Sequence, residues 1–233
     1  MSADKYTDRV RKLFAKAQST TSEHEAEALL ARAYALLAKH GIDEAVAKSG
    51  AGTNSSEIGT WTFEATGKYP LDQILLVNQV ATVLHCSPIK MGRTTLIVYG
   101  ARRHLDRVEM LAGMLVAYML AMAGVAVNPN PRSVSTVTYR KSVMLGFIVT
   151  VGERLAAAEK SAVDDTGDTT GTEVVLASDA RRAAQAMARE YPLARDAGSA
   201  RRSTAGYEAG VEAGSRVDLG GERRVGGRAA IAG

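Results

Sequence analysis

The stretch from Asp8 to Ala45, DRVRKLFAKAQSTTSEHEAEALLARAYALLAKHGIDEA, constrains the fold more than any other part of this chain. Just before and within it, Tyr6, Val10, Leu13, Phe14 and Ala17 recur at helical spacing and share one face. Ser19, Thr20 and Thr21 break that pattern, and Ser22 to Glu25 fits a capping box. A second helix follows, with Ala26, Leu29, Leu30, Ala33 and Leu37 on its buried side. Lys39 and His40 then sit in an expected last turn, Gly41 supplies an expected left-handed stop, and Ile42 packs back on that turn. Two amphipathic helices joined by a tight polar turn form a hairpin. Such a hairpin buries a single seam and is too small to be very stable alone, so it is expected to dock on something larger.

The rest of the chain is long enough to supply that partner. It has 233 residues, of which 46% are hydrophobic and 23% charged, an ordinary globular balance. Aromatics make up only 5%, so Ala, Val and Leu must fill most of the core. KSGAGTNSS at Lys48 to Ser56 has no periodicity and reads as a linker. Beyond it, Trp61, Phe63 and Ala65 alternate with polar residues as in a strand. Pro70 fits the first position of a helix reaching His85, and the segments Ser87 to Lys90 and Thr94 to Tyr99 flank a Met91-Gly92-Arg93 turn.

Arg102 to Ala123 reads as a long helix burying Val108, Leu111, Leu115 and Met119, and Tyr139 to Ala162 as a central one. Asp164 to Thr172 reads as a loop, Glu173 to Ala177 as a short strand, and Asp179 as the cap of a last helix ending near Tyr191. A basic small-residue loop, Arg195 to Ser203, precedes glycines four apart at Gly206, Gly210 and Gly214. The expected class is α+β: an N-terminal amphipathic helical hairpin, then a larger domain with a small, mostly antiparallel sheet packed by long helices. The expected boundaries are 1–48 for the hairpin, 49–56 for the linker, 57–218 for the α+β domain and 219–233 for a Gly/Arg-rich tail.

Motifs that carry chemistry are missing from the pattern. His24-Glu25 begins an H-E pair, but Ala28 stands where a zinc protease needs its second histidine. The acids of DDTGDTTGTE fall out of register for a calcium loop. There is no phosphate-binding G-x-x-x-x-G-K-[ST] and no G-x-S-x-G nucleophile elbow. Cys86 is the lone cysteine and reads as a small buried hydrophobe. His104, Asp106 and Glu109 read as ordinary polar residues at a helix start. No catalytic, metal or cofactor-binding residue is expected, and neither a cofactor nor a small-molecule substrate. No apolar run approaches the roughly 20 residues needed to cross a bilayer, and the start, MSADKYTDR, lacks the apolar core of a secretion signal. The expected location is the cytoplasm, with no membrane partner.

The formal net charge of +4 is mildly basic, and from Asp179 onward ten arginines and no lysine face seven acids. That balance is too dilute, and too poor in aromatic platforms, for tight direct nucleic-acid binding. A mixed Arg/acid surface suits a protein partner better. The candidate partner-binding residues are the arginine pairs Arg181/Arg182, Arg201/Arg202 and Arg223/Arg224.

The K-L-x-A-K-A run at Lys12 to Ala17, the E-A-x-x-A helix from Glu25 and the K-H-G-I at Lys39 to Ile42 resemble domain-of-unknown-function family 2786 of actinobacteria and their phages. The LGF of Leu145 to Phe147, the ERL of Glu153 to Leu155 and the glycine-rich ending from Gly210 to Gly220 resemble the companion domain often found behind it. The whole arrangement is similar to the recombination directionality factors of actinophage large serine integrases. That resemblance implies a phage regulatory protein with no chemistry of its own. It would bind a large serine integrase near its coiled-coil region and switch it from integration to excision, touching DNA only through the integrase. Two alternatives are a nucleic-acid-binding accessory protein using the arginine-rich C-terminal third, and an inactive relative of SprT-like zinc proteases.

Overall fold

In the computed structural model, residues 3–20, 22–50, 57–193, 207 and 211 are described. The expected Arg195 to Ser203 loop, the glycines at 206, 210 and 214, the 219–233 tail and positions 51–56 of the linker lie outside them. The elements run α1 (Ala3–Ser19), α2 (Glu23–Gly50), β1 (Ile58–Glu64), α3 (Pro70–Val83), β2 (Ser87–Met91), β3 (Thr95–Ala101), α4 (Arg102–Val125), α5 (Thr136–Asp164) and α6 (Thr169–Glu190). This is an α+β fold with one three-stranded antiparallel sheet of order β1-β3-β2.

The hairpin forms where its periodicity put it. Tyr6, Val10, Phe14 and Ala17 of α1 and Leu30, Ala33 and Leu37 of α2 are buried. They join a single hydrophobic cluster with the sheet and with α3, α4 and α5, so the hairpin's seam is part of the main core. At the turn, the Glu25 N–H donates to Ser22 Oγ at 3.3 Å, the first half of a capping box. The return half differs from the expectation. The Ser22 N–H donates to Thr20 Oγ1, while the Glu25 carboxylate accepts from the Thr20 hydroxyl at 2.8 Å and pairs with Lys16 at 2.8 Å.

Gly41 does not end α2, which continues to Gly50. The reason is tertiary. A Cβ at Gly41 would collide with the Arg107 guanidinium, lying 2.8 Å from its Cζ. The glycine is there for close approach of a side chain, not for a left-handed turn. Ile42 accordingly packs with Val163 of α5 and Leu176 of α6, rather than back on its own helix. His40 lies mid-helix and stacks on Tyr6, with ring centroids 4.0 Å apart.

A left-handed residue does end α3, at His85, where φ is +60°. The His85 N–H reaches the Thr82 carbonyl and the Cys86 N–H the Ala81 carbonyl, the paired bonds that close a helix around a left-handed residue. This ends α3 two residues before the expected His85 and turns the chain into β2. Cys86 is buried as expected, and burial pushes its thiol up to about 12.

β3 is the central strand. Leu96 and Val98 face the main core, while on its other side the Tyr99 hydroxyl donates to Glu190 of α6 at 2.6 Å. Thus α3 and α4 pack on the sheet and α6 reaches it from elsewhere in the chain. α6 overturns two expectations. Glu173 to Ala177 is helical, not a strand, and the helix begins ten residues earlier than Asp179. Its cap is Asp168, whose Oδ1 accepts the Gly171 N–H at 3.0 Å.

Among the described residues α4 is the one helix long and apolar enough to cross a bilayer by length and composition, contrary to the expectation from the linear sequence. Its Val108, Leu111, Leu115 and Met119 are nonetheless locked into the core, as expected.

Tyr34 is wholly buried at the centre of the hairpin, edge-on to Phe14 at 5.5 Å, and its hydroxyl has no partner. A buried hydroxyl left unsatisfied costs on the order of 1–3 kcal/mol. Tyr34→Phe is therefore expected to raise stability by about 1 kcal/mol. A lower urea midpoint for the variant would contradict this.

Candidate functional site

Two features stand apart from ordinary packing: a knot of buried charge at the start of α4, and a stripe of small exposed residues along the same helix.

The charged knot begins with sequence spacing. Arg103 and Arg107 lie four apart on α4, with His104 beside the first, and all three are almost fully buried. Basic groups at a helix start oppose the helix dipole, and the first turn of α4 holds no acid. Compensation comes from other elements. Asp179 of α6 accepts a hydrogen bond from Arg103 Nη2 and another from His104 Nε2, the latter at 3.1 Å. Glu159 of α5 pairs with Arg107 through both oxygens, one of the two contacts at 3.3 Å. Asp179 was expected to cap a helix; its carboxylate is instead buried mid-helix as a counter-charge.

Burial holds the His104 imidazole well below its usual 6.5, at about 4, outweighing the hydrogen bond to Asp179. The ring is therefore neutral, Nε2–H donates to Asp179, and Nδ1 is left without a partner. His85 lies next to it, ring centroids 5.6 Å apart, and burial lowers it too. For Asp179, burial pushes the carboxyl up, but the hydrogen bond from His104 and the charge of Arg103 hold it below the usual range.

An Asp–His pair can act as a base, but here the imidazole is fully enclosed, and no cluster of three metal-binding side chains occurs among the described residues. The arrangement is a fastener joining α4 to α5 and α6. Linear reading took His104 as an ordinary helix-start residue. The signal available was its register: positions 104, 108, 111 and 115 form one apolar stripe, so a histidine at its head had to be buried.

The candidate arginines are not brought together. Arg181 is exposed, and Arg182 is half-buried with Nη1 3.8 Å from Asp179 Oδ1. Arg201, Arg202, Arg223 and Arg224 lie outside the described residues.

The second feature lies on the outer side of α4. Gly113, Ala117 and Ala121 are exposed, and Met110, Met114 and Leu120 only half-buried. Just beyond, Val125 is 79% and Val127 82% exposed, and Val137 at the start of α5 is 54%. The exposed positions of the stripe itself are glycine and alanine, while Met110, Met114 and Leu120 pack against the main core. Beside the stripe, an apolar pocket is lined by Phe14 and Ala17 of α1, Leu30 and Tyr34 of α2, Met114, Leu115 and Tyr118 of α4, and Phe147 of α5.

Comparison with known proteins bears on the hairpin alone. The family described as protein of unknown function (DUF2786) matches residues 5–44, which span α1 from Lys5 and α2 as far as Glu44. No curated protein and no solved structure matches the chain.

Two outcomes are expected of the charged knot. The unfolded chain protonates its histidine near pH 6.5, whereas folded His104 stays neutral down to about pH 4. Its contribution is present above pH 6.5 and is lost as pH falls towards 4, by up to about 3 kcal/mol. His104→Gln keeps a donor towards Asp179 and cannot titrate, so its urea midpoint should fall less steeply over that window. Gly41→Ala should cost about 2 kcal/mol, because displacing Arg107 from Glu159 outweighs the gain of about 1 kcal/mol from alanine in a helix. Unchanged thermal melting of that variant would show that Arg107 repacks freely.

Proposed function

We propose that this chain is a regulatory protein that acts by binding another protein, with the outer face of α4 as its contact surface. The observation that carries this reading is the exposure of Gly113, Ala117 and Ala121, with Val125 and Val127 beyond them, positions left exposed among the described residues. The buried ion pairs support the same division of labour: their charges are spent on holding α4 in place.

In its finer form, the proposal is that the partner is a large serine integrase and that the chain is a recombination directionality factor. The match of the hairpin to the family of unknown function supports kinship at the level of that domain. The mechanism is a population shift. A protein that binds one integrase conformer better than another changes which synapse is stable, by no more than its difference in affinity for the two. A tenfold preference corresponds to about 1.4 kcal/mol. The protein would act in the cytoplasm of the host, touching DNA only through the integrase.

The test is reconstitution. Purified protein is expected to permit recombination of attL with attR by the cognate integrase and to inhibit attP with attB. No change in either reaction, across several related integrases, would sink the directionality reading.

A further inference from the structure

We infer that the free edge of β1 pairs antiparallel with β1 of a second copy of this chain, joining two three-stranded sheets into one of order β2-β3-β1-β1-β3-β2. The two edges of the sheet are built differently. β2 runs only from Ser87 to Met91 and carries Pro88 and Lys90, both of which blunt an edge against further pairing. β1 runs IGTWTFE from Ile58 to Glu64, with no proline, no lysine and an unbroken register against β3. An unguarded edge of this kind is a ready template for another strand.

The backbone fixes which residues are on offer. Ala65 extends the β1–β3 ladder by donating its N–H to the Thr94 carbonyl at 2.7 Å. Pairing alternates along an antiparallel ladder, so the odd-numbered residues of β1 turn their N–H and C=O towards β3 and the even-numbered ones turn theirs outward. The outward set is Ile58, Thr60, Thr62 and Glu64. Thr60, Thr62 and Glu64 are exposed and Ile58 is half-buried. Among the described residues these four form no backbone hydrogen bond with an element other than β3.

The occupant is a second copy because the strand matches itself about Trp61. A two-fold axis perpendicular to the sheet sets Thr60 opposite Thr62 of the other copy and Ile58 opposite Glu64, at the outward-facing positions, for about eight hydrogen bonds in all. In the closer, non-hydrogen-bonded positions Trp61 meets its own symmetry mate and Gly59 lies opposite Phe63. Thr–Thr and aromatic pairs are favourable across strands, and a ring laid over a glycine covers backbone that the glycine leaves bare. The fold of the single chain does not require that glycine, since a Cβ there would make ordinary contact, 3.6 Å from Leu105 Cδ1. Trp61 and Phe63 lie 6.0 Å apart and are only half-buried, so part of each ring is left for the second copy to cover. Charge permits the same register: Glu64 falls opposite Ile58 and Glu57 opposite Ala65, with no acid facing an acid. A foreign strand could use the backbone groups, but these side-chain matches belong to this chain's own sequence.

The experiment uses the full chain. Sedimentation velocity is expected to show a dimer at micromolar concentration that dissociates on dilution. Trp61 is the single tryptophan and flanks the axis, so its emission should shift to the red over the same dilution range. Thr62→Pro removes an outward N–H and leaves the ladder to β3 intact, and it should raise the dissociation constant by at least about tenfold. Thr60→Lys combined with Thr62→Lys sets lysines opposite each other across the axis and should do the same. Met91→Lys, on the guarded edge, should leave the dimer unchanged. Far-ultraviolet circular dichroism checks that each variant folds. Should the proline variant fail to fold, the double lysine variant decides, because both of its sites are exposed. A chain that stays monomeric into the millimolar range would overturn the inference. So would a dimer that survives the double lysine variant, one that Met91→Lys disperses equally, or a dissociation that leaves the Trp61 emission unmoved. No integrase enters this assay, and its outcome is independent of the outer face of α4.

Discussion

The pairing of Arg107 with Glu159 is the contact on which the arrangement of the helices turns. It joins α4 to α5, and its guanidinium lies so close to α2 that a side chain at position 41 would have to displace it. One residue pair thus fixes three helices. Arg103 and His104 extend the tie to α6 through Asp179. A buried ion pair is weak evidence for stability, because desolvation consumes most of the attraction. Its effect here is on placement: with each carboxylate matched to its own cation, a sliding of α5 or α6 along α4 would strand a buried charge. That specificity is what lets a core poor in aromatic residues hold a single packing.

Much of this fold was legible in the linear sequence, and the failures share a cause. The hairpin, β1, the β2–β3 hairpin, the Pro70 helix start and the buried stripe Val108–Leu111–Leu115–Met119 all follow from local periodicity and turn chemistry, which sequence records directly. The stop at Gly41, the strand at Glu173 to Ala177 and the cap at Asp179 were read by equally local rules and were wrong. In each case a distant residue decided. Gly41 answers to Arg107, and Asp179 answers to Arg103 and His104, more than 70 positions away. The β-branched pair Val174 and Val175 lies in a helix begun by Asp168 and kept by packing of Leu176 with Ile42. Conversely, His85 adopts the left-handed stop that glycine usually takes, and nothing in its type announces that.

The candidate surface shows the same limit from the other side. Met, Ala and Gly on α4 look alike in sequence whether they face the core or solvent. Only the packing of Leu111, Leu115 and Met119 against α3 and α5 reveals which face remains uncovered. The arginine pairs, conspicuous in the sequence, are less informative in three dimensions: one member of the first pair sits beside a buried carboxylate and the other is exposed.

α6 follows the sheet and the other long helices in the chain, yet it closes over residues made long before. Tyr99 and Glu190 are 91 positions apart, and Arg103 and Asp179 are 76 apart. Until α6 emerges, one face of β3 lacks its cover and Arg103 lacks its counter-charge. Local hairpins and helices can form early, but the final closure must bring together ends separated by a long loop, which slows folding. The nascent chain therefore carries an open sheet face through most of its synthesis, the kind of surface that chaperones recognise.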